Sequence, residues 1–201
     1  DAELTAPPLY DVWYDSCYLK TWDEMVAIRN QKKAILFPEA WRFIELLERD
    51  TANIFFDNKN TPQRETATEI VNEAFRAMQS YFRQNPEKRI AWGEYRGFAL
   101  KHLAQIDAFS RLDIVVGGNK STPNAISRTN GPSWRMIVDL GEKVKGMGVY
   151  PGGQSGNPGS PYYDNMVNTW AKGEYYDLLF LSRPDEAPER ILGKQTFVSN
   201  Q

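Results

Sequence analysis

Asp113-Ile114-Val115-Val116-Gly117-Gly118 is where the chain changes character. A β-branched run closed by paired glycines reads as a short strand and its turn. Upstream the rhythm is helical. From Ala67, apolar residues return at spacings of three and four through Ile70, Val71, Ala74, Phe75, Met78, Tyr81 and Phe82. That is one helix face sustained over about five turns. Thr61-Pro62 reads as its cap and first position, and Asn85-Pro86 as its end. Thr21 and Glu24 form a capping-box pattern leading into Met25, Val26 and Ile28, which predicts a helix starting at Thr21. Another is predicted from near Pro38, with Trp41, Ile44 and Leu47 as its stripe and Phe43 and Leu46 widening it. A weaker one runs from about Trp92 to Gln105, carrying the single histidine, His102.

Downstream, Gly, Pro, Asn and Ser accumulate between short strand-like runs. Trp134 to Leu140 alternates in part and reads as a strand. Lys145 to Tyr150 reads as its neighbour, with Gly141 in the turn. Ser160-Pro161 looks like the cap and first position of a short helix through Trp170, closed by Gly173. The last fifteen or so residues are polar, with Thr196-Phe197-Val198 as a final strand. The fold class is therefore α+β, with a helical region over 1–110 and a strand-containing segment over 111–201.

The 201 residues carry a formal net charge of -2, with 41% hydrophobic and 25% charged residues. Those proportions suit an ordered globule, and six Trp, ten Tyr and ten Phe place much aromatic surface in its core. Near-neutral charge, with Glu45, Glu48, Arg49 and Asp50 interleaved, lacks the basic face of a nucleic-acid binder. One cysteine, Cys17, excludes an internal disulfide, and one histidine with one cysteine cannot make a usual zinc site. No metal or cofactor is expected. No apolar run reaches the length of a membrane span, and Asp1-Ala2-Glu3-Leu4 has neither the basic start nor the apolar stretch of a signal peptide.

Catalytic patterns fail when tested. Gly118-Asn119-Lys120-Ser121 lacks both the earlier glycine of a phosphate loop and the glycine directly before the lysine. Gly153-Gln154-Ser155-Gly156 resembles a nucleophile elbow, but Asn157 stands where the second glycine must be. A Ser-His-Asp triad would have to join Ser155 to the distant His102. Asp57-Asn58-Lys59-Asn60 has a lysine at a calcium-ligand position. The residues alone give an α+β globule with no self-contained catalytic constellation.

Residues 151–164, from Pro151-Gly152-Gly153-Gln154-Ser155-Gly156 to Ser160-Pro161-Tyr162-Tyr163-Asp164, are not generic. They resemble the G-Q-S-G-x-P-x-S-P-H-Y-x-D-Q stretch near the C-terminus of the penicillin amidase family. Gly131-Pro132-Ser133-Trp134-Arg135 through Asp139-Leu140 resembles the family's G-x-S-x-R-x-x-x-D-L strand. Gly117-Gly118 with Pro123-Asn124-Ala125 resembles its G-G…V-N-A loop, and Trp92-Gly93 with His102-Leu103 its W-G…H-P segment. Glu65-Thr66 matches an E-T pair placed in the long helix. The sequence departs from the pattern at Tyr162, where the family has His, at Asn165-Met166, where D-Q is usual, and at Pro123.

The resemblance implies an N-terminal nucleophile hydrolase, made as a precursor that cuts itself to expose a serine. That serine attacks an amide with its own α-amino group as base. It implies an αββα core to which 111–201 adds strands, with 1–110 as a helical excursion. In the family's order the serine and the oxyanion asparagine lie upstream, so no residue here is assigned a catalytic role, and Asp1 cannot replace the serine. The implied partners are the remainder of the precursor, namely the small chain and the N-terminal part of the large chain, and in the parent a small-molecule amide substrate. The implied location is periplasmic or secreted. An alternative reading is a non-catalytic module binding glycans or acyl chains.

Arg135 and Asp139, four apart on a strand and on one face, are expected to form an ion pair or hydrogen-bonded anchor. Gly156, Pro161 and Asp164 are expected to shape a structural corner placing the following helix. Gln154, Ser155 and Asn157 are the candidate substrate contacts if that corner instead walls an active-site mouth. Unpaired edge strands predict self-association of the segment in isolation.

Overall fold

The computed structural model describes residues 1–31, 34–181, 183 and 185–199. The chain is α+β and divides into two compact units, 1–99 with 112–119, and 100–111 with 120–201.

The first unit is helical. α1 (Ala6–Thr21) opens with Pro7 and Pro8 in its first turn, where no intrahelical N–H is needed. α2 (Asp23–Asn30) follows after Trp22, and α3 spans Ala40–Arg49. α4 spans Ala67–Gln84, and α5 is the single turn Trp92–Arg96. α1 packs along α4. Their shared core is Cys17, Phe43, Phe56, Ala67, Ile70 and Ala74, flanked by Trp13, Tyr14, Tyr18, Leu46, Leu47 and Val71. Tyr14 and Tyr18 meet the Phe43 ring edge-on, at centroid distances of 5.6 and 6.3 Å. The aromatic load is thus partly core, and burial pushes the Cys17 thiol up to about 11.

Several helix boundaries correct the sequence reading. No helix starts at Thr21: it ends α1, and its hydroxyl donates to the Cys17 carbonyl at 2.9 Å instead of capping α2. Pro38 lies ahead of α3, with its carbonyl accepting the Tyr18 hydroxyl. On α3 it is Phe43 that is buried, while Trp41 and Ile44 are exposed. The long helix begins at Ala67, not after Thr61-Pro62. Its first turn is fixed by Glu69, whose carboxylate accepts from the Thr66 N–H at 2.9 Å and from the Thr66 hydroxyl. Ala67, Ile70, Ala74, Met78 and Phe82 are its buried stripe, and Phe75 faces solvent. The Trp92–Gln105 helix stops after one turn because Gly97 adopts φ 52°. β1 (Phe98–Leu100) then pairs with β2 (Arg111–Ile114), two residues earlier than the expected strand.

The Thr66 cap supports a prediction. Thr66→Ala removes the N-cap hydroxyl and is expected to destabilise the fold by about 1 kcal/mol near neutral pH, read from chemical denaturation. The hydrogen bonds from Thr66 hold the Glu69 carboxyl below its ordinary value. A group whose pKa is lowered on folding stabilises above its unfolded value and loses that contribution as pH falls through the folded one. The gap between wild type and T66A is therefore expected to narrow in acid.

The second unit holds a three-stranded antiparallel sheet, β3 (Arg135–Asp139), β4 (Lys145–Val149) and β5 (Tyr176–Leu178), with β4 in the centre. Arg135 is opposite Val149 and Asp139 opposite Lys145, and Gly148 is opposite Tyr176. α6 is Val167–Lys172, closed by Gly173 in the left-handed conformation at φ 75°. It begins well after Ser160-Pro161, which form turns instead. Residues 196–198 form no strand, and β5 is the third strand that the sequence reading lacked. Among the described residues no helix is long and apolar enough to cross a membrane.

Candidate functional site

The loop from Pro151 to Asp164 folds back on itself. Tyr150 donates from its hydroxyl to the Gly153 carbonyl at 3.1 Å, the Ser155 N–H to the Tyr162 carbonyl at 3.0 Å, and the Met166 N–H to the Gly152 carbonyl at 3.0 Å. Gly153 is the tightest point. A Cβ there would lie 2.1 Å from the Tyr162 carbonyl oxygen and 2.3 Å from the Tyr163 carbonyl carbon. At Gly156 a Cβ would meet nothing within 4 Å.

The three candidate contacts use their polar groups inside the loop. The Gln154 N–H donates to Asn165 Oδ1 at 3.2 Å, and Asn165 Nδ2 returns a bond to Gln154 Oε1 at 3.1 Å. Ser155 Oγ accepts the Asn157 N–H at 3.1 Å, and Asn157 Oδ1 accepts the Gly159 N–H at 3.0 Å. These are the local side-chain-to-backbone bonds by which Ser and Asn build turns. Gln154 and Asn157 remain exposed and Ser155 is half-buried. Pro161, exposed, follows Ser160, whose Oγ accepts the Tyr162 N–H at 3.2 Å.

Asp164 ties the loop to the chain far upstream. Its carboxylate takes an ion pair from Arg111, whose guanidinium also donates to Asn168 Oδ1 at 3.4 Å. The Tyr163 hydroxyl donates to the Phe109 carbonyl at 2.9 Å. Arg111, Tyr163 and Asn165 were missed in the sequence. Their partners lie up to 57 residues away, and nothing local announces them.

Arg135 and Asp139 do not pair. Four residues along a strand span roughly 13 Å, so sharing a face does not bring the charges together. Arg135 instead donates to the Trp170 carbonyl near the end of α6 and lies over the Trp170 ring, 4.9 Å from its centroid. Burial pulls its pKa down, and the Tyr175 side chain offsets this by bonding it. The Trp170 indole donates to the Pro132 carbonyl at 3.1 Å. Asp139 Oδ1 accepts the Gly141 N–H at 3.1 Å and shapes the β3–β4 turn.

His102 sits in the turn after β1, not in a helix. Its ring meets Phe109 edge-on at 5.5 Å, and its Nδ1 accepts the Ala104 N–H at 3.3 Å. Those local contacts occupy the ring nitrogen that a triad acid would orient. Among the described residues no group of three or more His, Cys, Asp or Glu stands close enough to hold a metal.

In the helical unit, Trp92-Gly93 anchor the start of the chain. The Trp92 N–H donates to the Leu4 carbonyl and the Gly93 N–H to the Ala2 carbonyl, each at 2.8 Å, while the Trp92 indole donates to the Gly118 carbonyl at 2.8 Å. Glu65 precedes α4. Its carboxylate accepts from the Asn58 N–H at 3.1 Å and from the Thr61 hydroxyl at 2.7 Å, closing the 57–65 loop. It also lines a cavity of about 550 Å³ with Asp15, Asp23, Lys20, Glu73 and Tyr95. Lys20 bridges Glu73 at 2.9 Å, and burial raises the Asp23 carboxyl.

The conspicuous residues of the matched blocks thus hold turns and element ends, and they assemble no nucleophile with a base. Three relatives share the stretch, each named acyl-homoserine lactone acylase QuiP. The one from Pseudomonas putida is 34% identical over 147 residues, covering 66% of this chain and 18% of the relative. The one from Pseudomonas fluorescens (strain Pf0-1) is 33% identical over 135 residues, covering 62% and 16%. The one from Pseudomonas aeruginosa is 28% identical over 163 residues, covering 67% and 19%. The chain spans less than a fifth of the length of these curated relatives. The penicillin amidase family profile matches residues 1–186, so the blocks at 92–93, 117–125, 131–140 and 151–164 fall within one continuous match, and the chain belongs to the penicillin amidase family.

Proposed function

We propose that the chain is the C-terminal portion of a self-processing acylase that hydrolyses the amide bond of an N-acyl-homoserine lactone. The reading is carried by 33–34% identity to two acyl-homoserine lactone acylases over about two thirds of the chain. In it, a serine exposed by cleavage at the head of the large chain attacks the amide carbonyl. Its own α-amino group takes the hydroxyl proton. An asparagine side chain and a backbone N–H stabilise the oxyanion from upstream positions. The C–N bond then breaks, homoserine lactone leaves as the amine carrying that proton, and water hydrolyses the acyl-serine ester to release the fatty acid and regenerate the serine. The present segment is inactive by itself. Its helical region is an excursion, and its strands extend an αββα core. The partners are the small chain and the N-terminal part of the large chain, and the location is the periplasm or the exterior.

The test is to express the whole upstream reading frame and take intact masses of every resulting chain. Two chains are expected, the larger beginning with Ser, together with release of homoserine lactone from an N-acyl-homoserine lactone. A single uncut chain without amidase activity would overturn the reading.

A further inference from the structure

We propose that Asn130-Gly131 is a site of spontaneous backbone modification, where the asparagine loses ammonia and the chain rearranges to an isoaspartyl link that loosens the anchor of Trp170. The function proposed above is not needed for it. Asn130 is the only asparagine of the chain followed by glycine. The reaction is an attack by the next residue's main-chain nitrogen on the asparagine side-chain carbonyl carbon. Glycine favours that attack, because no Cβ hinders the approach and its backbone reaches more conformations. Asn85 and Asn157 are followed by proline, which has no N–H to give up.

The fold leaves this pair open to the reaction. Both residues are exposed and lie in irregular chain ahead of β3. The Asn130 main chain is held in a turn: its N–H donates to Ser127 Oγ at 3.1 Å, and its carbonyl accepts the Ser127 N–H at 2.7 Å. Among the described residues, the Asn130 side-chain amide and the Gly131 N–H make no hydrogen bond. Other asparagine side chains are engaged. Asn58 Oδ1 accepts the Asn60 N–H, and Asn165 exchanges bonds with Gln154.

The step balances with water as the one co-reactant. The Gly131 nitrogen bonds to Asn130 Cγ and gives up its proton. The Cγ–Nδ2 bond breaks, and ammonia leaves carrying that proton. Water then opens the five-membered imide. Attack at Cγ gives aspartate. Attack at the main-chain carbonyl carbon turns that carbon into a carboxylate and routes the chain through Cγ, one atom longer. Either product adds a negative charge to the formal -2. The longer link displaces Pro132, two residues on, whose carbonyl accepts the indole of the fully buried Trp170 at 3.1 Å.

The test incubates the full-length protein at mildly alkaline pH, which favours loss of the Gly131 proton, and then digests it with trypsin. The peptide Thr129–Arg135 is expected to gain one mass unit ahead of every other asparagine peptide. It is also expected to resolve into two products and to accept a methyl group from an isoaspartyl methyltransferase. Asn130→Gln, whose ring closure is the slower six-membered one, is expected to stay unmodified. Gly131→Ala is expected to slow the conversion by ~10-fold or more, because the added carbon restricts the approach of the reacting atoms. Gly131 has no positive φ, so alanine can adopt its backbone conformation. Hydrogen exchange in α6 is expected to quicken in aged wild-type protein and not in aged Asn130→Gln. A native peptide that stays unmodified while the urea-unfolded protein converts would overturn the inference, because the fold would then protect the pair. Equal rates in wild type and Gly131→Ala would overturn it too. Conversion with unchanged exchange in α6 would overturn the link to Trp170.

Discussion

Gly153→Ala is expected to cost about 3 kcal/mol, because the added carbon has nowhere to go. It would stand 2.1 Å from the Tyr162 carbonyl oxygen and 2.3 Å from both the carbonyl carbon and the oxygen of Tyr163. Each of these is backbone, so no flexible side-chain end can swing aside. Relief requires opening the loop, and the loop is closed by the Ser155–Tyr162 and Met166–Gly152 backbone bonds, the second of which leads directly into α6. Breaking them would orphan backbone groups as well as misplace the helix. Gly156→Ala is the matched control. Nothing lies within 4 Å of its Cβ position, so the change is expected to stay within about 0.5 kcal/mol of wild type. Urea denaturation of both variants decides the matter: a lower midpoint with unchanged slope for Gly153→Ala alone is the expected result. Equal midpoints for the two variants would refute the crowding argument.

The same loop separates what the residue order makes legible from what it does not. Its density of Gly, Ser, Asn and Pro announced tight turns, because those residues build turns from their own side chains. The clasp between Gln154 and Asn165 and the anchor between Asp164 and Arg111 were invisible, since they depend on where distant segments meet. Capping shows a finer limit. Thr21-x-x-Glu24 and Thr66-x-x-Glu69 are the same local pattern. Only the second starts a helix, because Thr66 has extended backbone while Thr21 is already the last turn of α1. α1 escaped notice because Leu9, Tyr10, Val12, Trp13, Tyr14, Cys17, Tyr18 and Leu19 spread around most of the helix instead of forming a stripe, so no 3.6-residue period stands out. α4 was legible for the opposite reason: its five buried positions fall on one stripe. The β3–β4 pair was legible from alternation and a turn, whereas β5 pairs only three residues and offers almost no pattern to read.

Arg135 shares a face with Asp139 but bonds the Trp170 carbonyl, and that contact sets up the other large effect. Trp170 is fully buried and joins three parts of its unit. Its indole bonds the Pro132 carbonyl ahead of β3, its own carbonyl accepts from Arg135, and its ring lies under the Arg135 guanidinium. Trp170→Ala is expected to cost roughly 3–5 kcal/mol through the cavity and the lost contacts. Trp170→Phe keeps most of the ring and gives up the bond to Pro132, an expected loss of roughly 1–2 kcal/mol. Arg135→Met keeps the apolar stem but removes the donor to the Trp170 carbonyl and the cation over the ring, with an expected loss of similar size. Because Arg135 and Trp170 touch, their combined loss in the Arg135→Met, Trp170→Phe double variant is expected to be smaller than the sum of the single losses. Circular dichroism through urea denaturation would measure all four variants. Additive losses, or a Trp170→Ala cost below about 1 kcal/mol, would show that α6 is held to β3 by something other than this stacked and hydrogen-bonded pair.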